Sequence, residues 1–232
     1  MPDFSTRSLV PELMDNFSMP QTDLNTNLLE LEVINRWLGG YAVSFDGIKK
    51  LNLPKGETIT IADIGCGGGD GMIAIQKYCR RLGVRVRMIG IDANPKAIEY
   101  ARTRCINHPE FDWVVKPFQD LNGLEADVFH CSLFAHHFYK EDLGALVNLM
   151  QRARIGFIIN DLHRNWLAYH SISLLTRLFS KSYLVQNDAR LSVAKGFSKE
   201  ELENLFSAVD LRQLDIHWKW AFRWQVIGKV KT

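Results

Sequence analysis

The apolar positions change period twice along the chain. Leu24, Leu28, Leu31, Ile34 and Leu38 recur at helical spacing, the stripe of an amphipathic helix. Gly39 and Gly40 follow as its stop. A second short helix is expected over 41–51, ended near Pro54. From Thr58 the texture becomes strand then helix, repeatedly. Residues 58–64 are short, apolar and β-branched, as in a strand covered on both faces. Helices are expected over 70–82, 95–106 and 140–152, the second with Pro95 in its first turn. Further strands are expected over 84–91, 111–115, 126–131 and 155–159. Such alternation means a parallel, doubly wound sheet with right-handed crossovers. A long helix is then expected from Trp166 to about Phe179, and residues 181–195 read as a connecting segment. Ser198 with Glu201 three residues on is a capping box that opens another helix. Residues 211–220 and 222–230 are adjacent strand-like runs with no room for a helix between them, so they pair as an antiparallel hairpin at one sheet edge.

Composition narrows the class. Of 232 residues 47% are hydrophobic and 23% charged, enough apolar side chain to offset the entropy of ordering, so the chain is not disordered. The net charge of +2 gives none of the bulk field that gathers nucleic acid or an anionic membrane. The length suits one domain with an appended cap. Cys66, Cys79, Cys105 and Cys131 form no CxxC pair and stand at no zinc-finger spacing from a histidine. They point to a reducing, cytoplasmic setting and to no metal site. The N-terminus lacks an apolar signal region, and no stretch approaches the roughly 18 apolar residues of a membrane span.

The chemistry concentrates at the expected carboxyl ends of strands, where such sheets bind ligands. The run from Ile61 to Asp70 places Asp63, Gly65, Cys66, Gly67, Gly68 and Gly69 between the first strand and its helix. Glycines there admit close backbone approach to a ligand, and the bland alternative is a tight turn. Neither GxGxxG nor the Gly-Lys-Ser/Thr of a phosphate loop is present. Asp92 ends the second strand, where a carboxylate can accept both hydroxyls of a ribose; as a lone residue it reads equally as a helix N-terminal charge.

Asp63-x-Gly65-x-Gly67-x-Gly69, followed by Asp92, Ala93 and a Pro95-started helix, resembles the class I S-adenosylmethionine-dependent methyltransferases. The resemblance covers roughly residues 63–230. It implies an α/β fold: a doubly wound, seven-stranded Rossmann-like sheet with an antiparallel C-terminal hairpin. An N-terminal helical cap (1–52) precedes a methyltransferase domain (53–232), with a helical lid insertion at about 163–196. It implies S-adenosyl-L-methionine as cofactor, held by Asp63, Gly65, Cys66, Gly67, Gly69, Asp92 and Ala93. Asp120 and Leu121 stand where the family binds the adenine, and Cys131 and Ser132 where backbone lies under the sulfonium.

His136 and His137 follow the fourth strand, and Asp161 and His163 are expected just past the fifth. Imidazoles there are candidates for removing a proton from the acceptor, and packing is the alternative. His137 ranks first, then His136, then His163, with Asp161 as the fallback. The tail aromatics Trp218, Trp220, Phe222 and Trp224 read as core or subunit contact more readily than as a base-stacking platform.

Several runs are similar to a narrower bacterial group found with polyketide or aromatic-pigment biosynthesis: Leu13-Met-Asp-Asn, Ile34 to Gly40, Ser132 to Phe138, and Asn160 to Arg164. The Asn/Asp-Pro-Pro-Tyr of amino-methylating DNA enzymes and the Pro-flanked nucleophilic Cys of cytosine enzymes are absent. The expectation is therefore methyl transfer to a small, partly apolar acceptor, phenolic or polyketide-derived, at oxygen. Carbon methylation of an aromatic ring and a non-catalytic partner subunit stay open, as does a homodimer.

Overall fold

A computed structural model describes residues 3–231. A seven-stranded sheet runs in the order β3-β2-β1-β4-β5-β7-β6. Its strands are β1 (Thr58–Ile64), β2 (Arg85–Asp92), β3 (Phe111–Val115), β4 (Val128–Ser132), β5 (Gly156–Leu162), β6 (Gln213–Lys219) and β7 (Arg223–Lys229). The first five are parallel. β7 is antiparallel to both β5 and β6, so the expected hairpin closes the edge. The strand order reverses between β1 and β4, which opens a crevice above their carboxyl ends.

Helices cover both faces: α1 (Gln21–Trp37), α2 (Gly40–Leu51), α3 (Asp70–Arg81), α4 (Pro95–Arg104), α5 (Lys140–Met150), α6 (Trp166–Phe179), α7 (Tyr183–Lys195) and α8 (Lys199–Phe206). The central strands are buried on both sides because helices flank them, which is why β1 and β5 read as continuous apolar runs. One core packs Phe129, Phe157 and Val226 under α5 and α8. The other packs Ile59, Met88 and Ile158 under α2, α3 and α4. Ser198 and Glu201 form the expected capping box at α8. Among the described residues no helix is long and apolar enough to cross a membrane.

Three features depart from the sequence reading. β5 runs on through Leu162, so Asn160 and Asp161 lie within a strand, not beyond it. Residues 183–195 are a helix, α7, capped by Ser182, whose hydroxyl accepts from the Val185 N–H. Its pattern is hidden because Asp188 and Lys195 are buried beside Leu184, Val185 and Val193. Within the 1–52 segment, Ile48 and Leu51 of α2 join the core with Ile158 and Ile227, while Leu28, Leu31 and Ile34 of α1 face the crevice. Of the core and subunit-contact alternatives for the tail tryptophans, the core one fails, since Trp218 and Trp220 are 50% and 75% exposed at the crevice; Trp220 lies in the turn after β6, beyond strand alternation.

Candidate active site

The crevice is a cavity of about 870 Å³, within the range of roughly 300–1,000 Å³ usual for small-molecule sites. Its walls come from both ends of the chain. The β1–α3 loop, Asp92 and Ala93 form one side. Leu28, Leu31 and Ile34 of α1, with Ala168, Ile172 and Leu175 of α6, form the other.

The glycine loop is built by local geometry. Gly65, Gly67 and Gly69 have φ of +70°, +51° and +75°, so the alternate-glycine spacing supplies a left-handed residue every second step. The Gly65 and Cys66 amides donate to the Ile91 carbonyl at 2.8 and 3.0 Å, which ties the loop to β2. A Cβ on Gly65 would collide with the Phe134 ring. Asp92 accepts from the Gly67 amide (3.1 Å) and the Asn94 amide (2.8 Å), one through each oxygen. A carboxylate has about four acceptor positions, so one lone pair per oxygen is left for a ligand. Burial pushes this carboxyl above its ordinary value, while the two amides pull the other way.

Behind the loop runs a buried polar chain. Asp63 Oδ1 lies 2.6 Å from His130 Nδ1, and His130 Nε2 lies 2.9 Å from Ser44 Oγ. Asn160 donates to Ser44 Oγ (3.1 Å) and to the Gly40 carbonyl (2.8 Å). Arg223 donates to the Asn160 side-chain oxygen (3.2 Å) and the Asn35 side-chain oxygen (2.9 Å).

At the far end, His136 Nδ1 sits 2.6 Å from Asp161 Oδ1, and the His136 amide donates to Asp161 Oδ2 at 3.1 Å. Burial raises the Asp161 carboxyl, but the His136 contacts outweigh it and hold it below the ordinary carboxylate value. His136 Nε2 and Glu12 Oε1 face each other at 3.7 Å, each buried without a hydrogen-bond partner. His137 packs against His136 with ring centroids 4.4 Å apart, and its Nδ1 lies 2.9 Å from Asp15 as an ion pair without hydrogen-bond geometry. Burial pulls the His137 imidazole down, yet Asp15 and Glu12 hold it above its ordinary value. Glu12, His136 and His137 could share a metal ion, their ligating atoms lying within 4.8 Å of one another. The Lys195 ammonium, 3.3 Å from Glu12 Oε1, already supplies a positive charge there.

Residues 61–154 match the family described as a methyltransferase domain. The match runs from within β1 to just past α5, about two fifths of the chain, and in that part the chain is similar to methyltransferase domains.

Solved structures agree in fold. Human N-acetylserotonin methyltransferase in complex with S-adenosylmethionine superposes with a TM-score of 0.65 at 17% identity, covering 96% of this chain and 61% of that one. The plantazolicin methyltransferase BpumL, in complex with S-adenosylhomocysteine, gives 0.63 at 14%, covering 94% and 99%. The citrinin polyketide synthase CMeT domain gives 0.56 at 14%, covering 77% and 48%. The chain thus spans about half of the citrinin domain structure and three fifths of the human enzyme. No curated protein matches its sequence.

Most of the residues expected to hold S-adenosylmethionine reach the cavity wall. Asp63, Gly65, Cys66, Gly67, Asp92, Ala93 and Ser132 line it, and Ser132 Oγ is buried without a partner. Four expected contacts fall outside the wall. Gly69 turns toward Cys105 and Trp113. Asp120 is exposed, and its neighbour Gln119 lines the cavity in its place. Leu121 and Cys131 are core residues.

The histidines divide. His136 and His137 line the cavity, while His163 lies off it. His163 is half-buried, accepts from the Trp218 indole at 3.3 Å, and is held below its ordinary value by burial and by Arg164. The three imidazoles therefore do not cluster, because the extension of β5 carries His163 past the corner. Asp161 stands behind His136 and orients it, with no place on the wall.

Glu12, Asp15, Ser44, His130 and Arg223 escaped the sequence reading although all line the cavity. Asp15 belongs to the Leu13-Met-Asp-Asn run and His130 adjoins Cys131 in β4, whereas Glu12, Ser44 and Arg223 come from segments that carry no motif. The one legible sign was the pair Gly39-Gly40 beside them: Gly40 lets α2 start against Asn35 and Arg223, both of which a Cβ would strike.

Proposed function

We propose that this protein moves a methyl group from S-adenosylmethionine to a small, partly apolar acceptor, with a phenolic or polyketide-derived hydroxyl as the favoured site. The observation that carries this reading is the continuity of one cavity. It runs from the glycine loop and Asp92 to His136, His137 and the aromatic rim of Trp218, Trp220 and Phe222.

The bound cofactor supplies an activated sulfonium methyl, so the chain's tasks are positioning, water exclusion and proton removal. Asp92 holds the ribose hydroxyls and the left-handed loop receives the nucleoside. The apolar faces of α1 and α6 exclude water, with α6 and α7 acting as the lid. His136 takes the acceptor's proton at Nε2, and Asp161 fixes its tautomer from Nδ1. This places His136 ahead of His137, because Asp161 hydrogen-bonds to the His136 ring while the His137 ring has only ion-pair contacts, to Asp15 and Glu12. The names of the citrinin, plantazolicin and N-acetylserotonin proteins support a small acceptor.

The test is incubation with methyl-labelled cofactor and a panel of phenols and aromatic polyketides, read by mass spectrometry. A product 14 Da heavier at oxygen is expected. A product methylated at carbon would move the assignment to ring methylation. Binding of S-adenosylhomocysteine without turnover of any acceptor would favour a non-catalytic subunit.

A further inference from the structure

Arg223 is a buried cation with no anion at ion-pair distance among the described residues; Asp161, the nearest charge to act on it, is held by His136. Its side chain opens β7 at the cavity, and the residue is 2% exposed. A guanidinium has five N–H donors. Two find the amide oxygens of Asn160 and Asn35. Nε is buried without a partner. Among the described residues no carboxylate lies within ion-pair distance of it, whereas the buried Arg164 has Glu201 at 2.8 Å.

A buried charge without a partner is costly, and replacing such groups by apolar side chains often stabilises a fold. The fold nevertheless fixes this one from three directions. Asn35 holds it from α1 and Asn160 from β5, and Gly40 leaves the space that a Cβ would fill. Desolvation pulls its guanidinium down to about 10, so the site gains from any negative charge brought to it. Neutral amides orient the fork and leave its charge available, as a receptor for a planar anion requires.

We infer that Arg223 is a carboxylate receptor in the cavity, held in place by Asn35 and Asn160. The inference rests on the cavity being the cofactor and acceptor site. Two ligands could bring the carboxylate: the amino-acid tail of the cofactor, or an acidic aromatic acceptor. Both would reach Arg223 past Ser132, the end of β4, which pairs with Asn160 of β5.

Calorimetry on the full chain separates them. S-adenosylhomocysteine and 5′-methylthioadenosine, which lacks the amino-acid tail, are titrated into the wild type, Arg223→Met and Arg223→Lys. Benzoate is then titrated into each protein saturated with S-adenosylhomocysteine. If the cofactor tail is the ligand, Arg223→Met loses about 10–100-fold in S-adenosylhomocysteine affinity, the worth of a charged hydrogen bond. 5′-Methylthioadenosine is then unchanged, and Arg223→Lys recovers part of the loss. If an acidic acceptor is the ligand, S-adenosylhomocysteine binds all three alike, and benzoate binding falls by a similar factor in Arg223→Met. Equal binding of all ligands by wild type and Arg223→Met overturns the inference. Should Arg223→Met fail to fold, Arg223→Lys carries the test: its loss of the planar fork should weaken one carboxylate ligand about 3–10-fold, and unchanged binding overturns the inference. Failure of the wild type to bind S-adenosylhomocysteine would instead remove the cofactor reading itself.

Discussion

Asp161 Oδ1 lies 2.6 Å from His136 Nδ1, and the same carboxylate accepts the His136 backbone amide. The two contacts fix both the ring and the turn that carries it. His136→Gln should lower turnover about 10²–10⁴-fold, the usual worth of a general base, with S-adenosylhomocysteine affinity little changed. Asp161→Asn should lower turnover less and leave the acceptor KM nearly constant, because it acts through the imidazole. Near-normal turnover in His136→Gln would move the base elsewhere.

Asp92 is joined by backbone amides alone and keeps one lone pair per oxygen toward the cavity. Asp92→Ala should weaken cofactor binding by about 1.5–3 kcal/mol, as for hydrogen bonds to a charged group. Calorimetry with S-adenosylhomocysteine reads this directly, and unchanged affinity would take Asp92 out of the site.

Gly65 combines φ +70° with a ring against its missing Cβ. Gly65→Ala should cost about 1–2 kcal/mol for the left-handed backbone alone, more for displacing Phe134, and should lower Tm. Since Phe134 lines the cavity, cofactor affinity should fall in the same variant. A variant with wild-type Tm and affinity would contradict the loop geometry.

The His137–Asp15 pair gives a pH signature in stability. The folded state holds His137 above its ordinary value and Asp15 below its own, with His137 as Asp15's partner against a burial effect that opposes it. The histidine contribution is full below about pH 6.5 and is lost as pH rises through the raised value. The aspartate contribution is present above about pH 3.9 and is lost as pH falls through the lowered value. Asp15 is 42% exposed, so solvent limits the effect to under ~1 kcal/mol. Urea unfolding of Asp15→Asn should therefore differ from wild type most near pH 5–6 and converge toward alkaline pH. A difference that grows with pH would refute the pairing.

Local pattern was enough for the frame. Period-two and period-3.6 apolar runs are set by what each strand or helix buries on its own faces, so β1, β3, α6 and the capping box of α8 stood where the sequence put them. The glycine loop was legible for a similar reason: Gly65, Gly67 and Gly69 need left-handed backbone whatever surrounds them. The helix α7 was not, because Asp188 and Lys195 spend their charge inside the fold, on the Leu13 and Met14 amides and on Glu12. The length of β5 was not either, since pairing with β7, far along the chain, draws Asn160, Asp161 and Leu162 into the sheet.

Chain distance set the same limit at the site. Asp92 and Asp63 belong to motifs and were found. Glu12, Ser44, His130 and Arg223 reach the cavity from segments up to about two hundred residues apart, and no spacing rule links them. The sequence by itself determined a doubly wound sheet with a left-handed glycine loop at its switch point. Only the tertiary structure decided which imidazole has an oriented partner, that His163 stands apart, and that a guanidinium without an anion faces the cavity. Those facts depend on which side chains converge once burial has removed water, and burial is a property of the assembled fold.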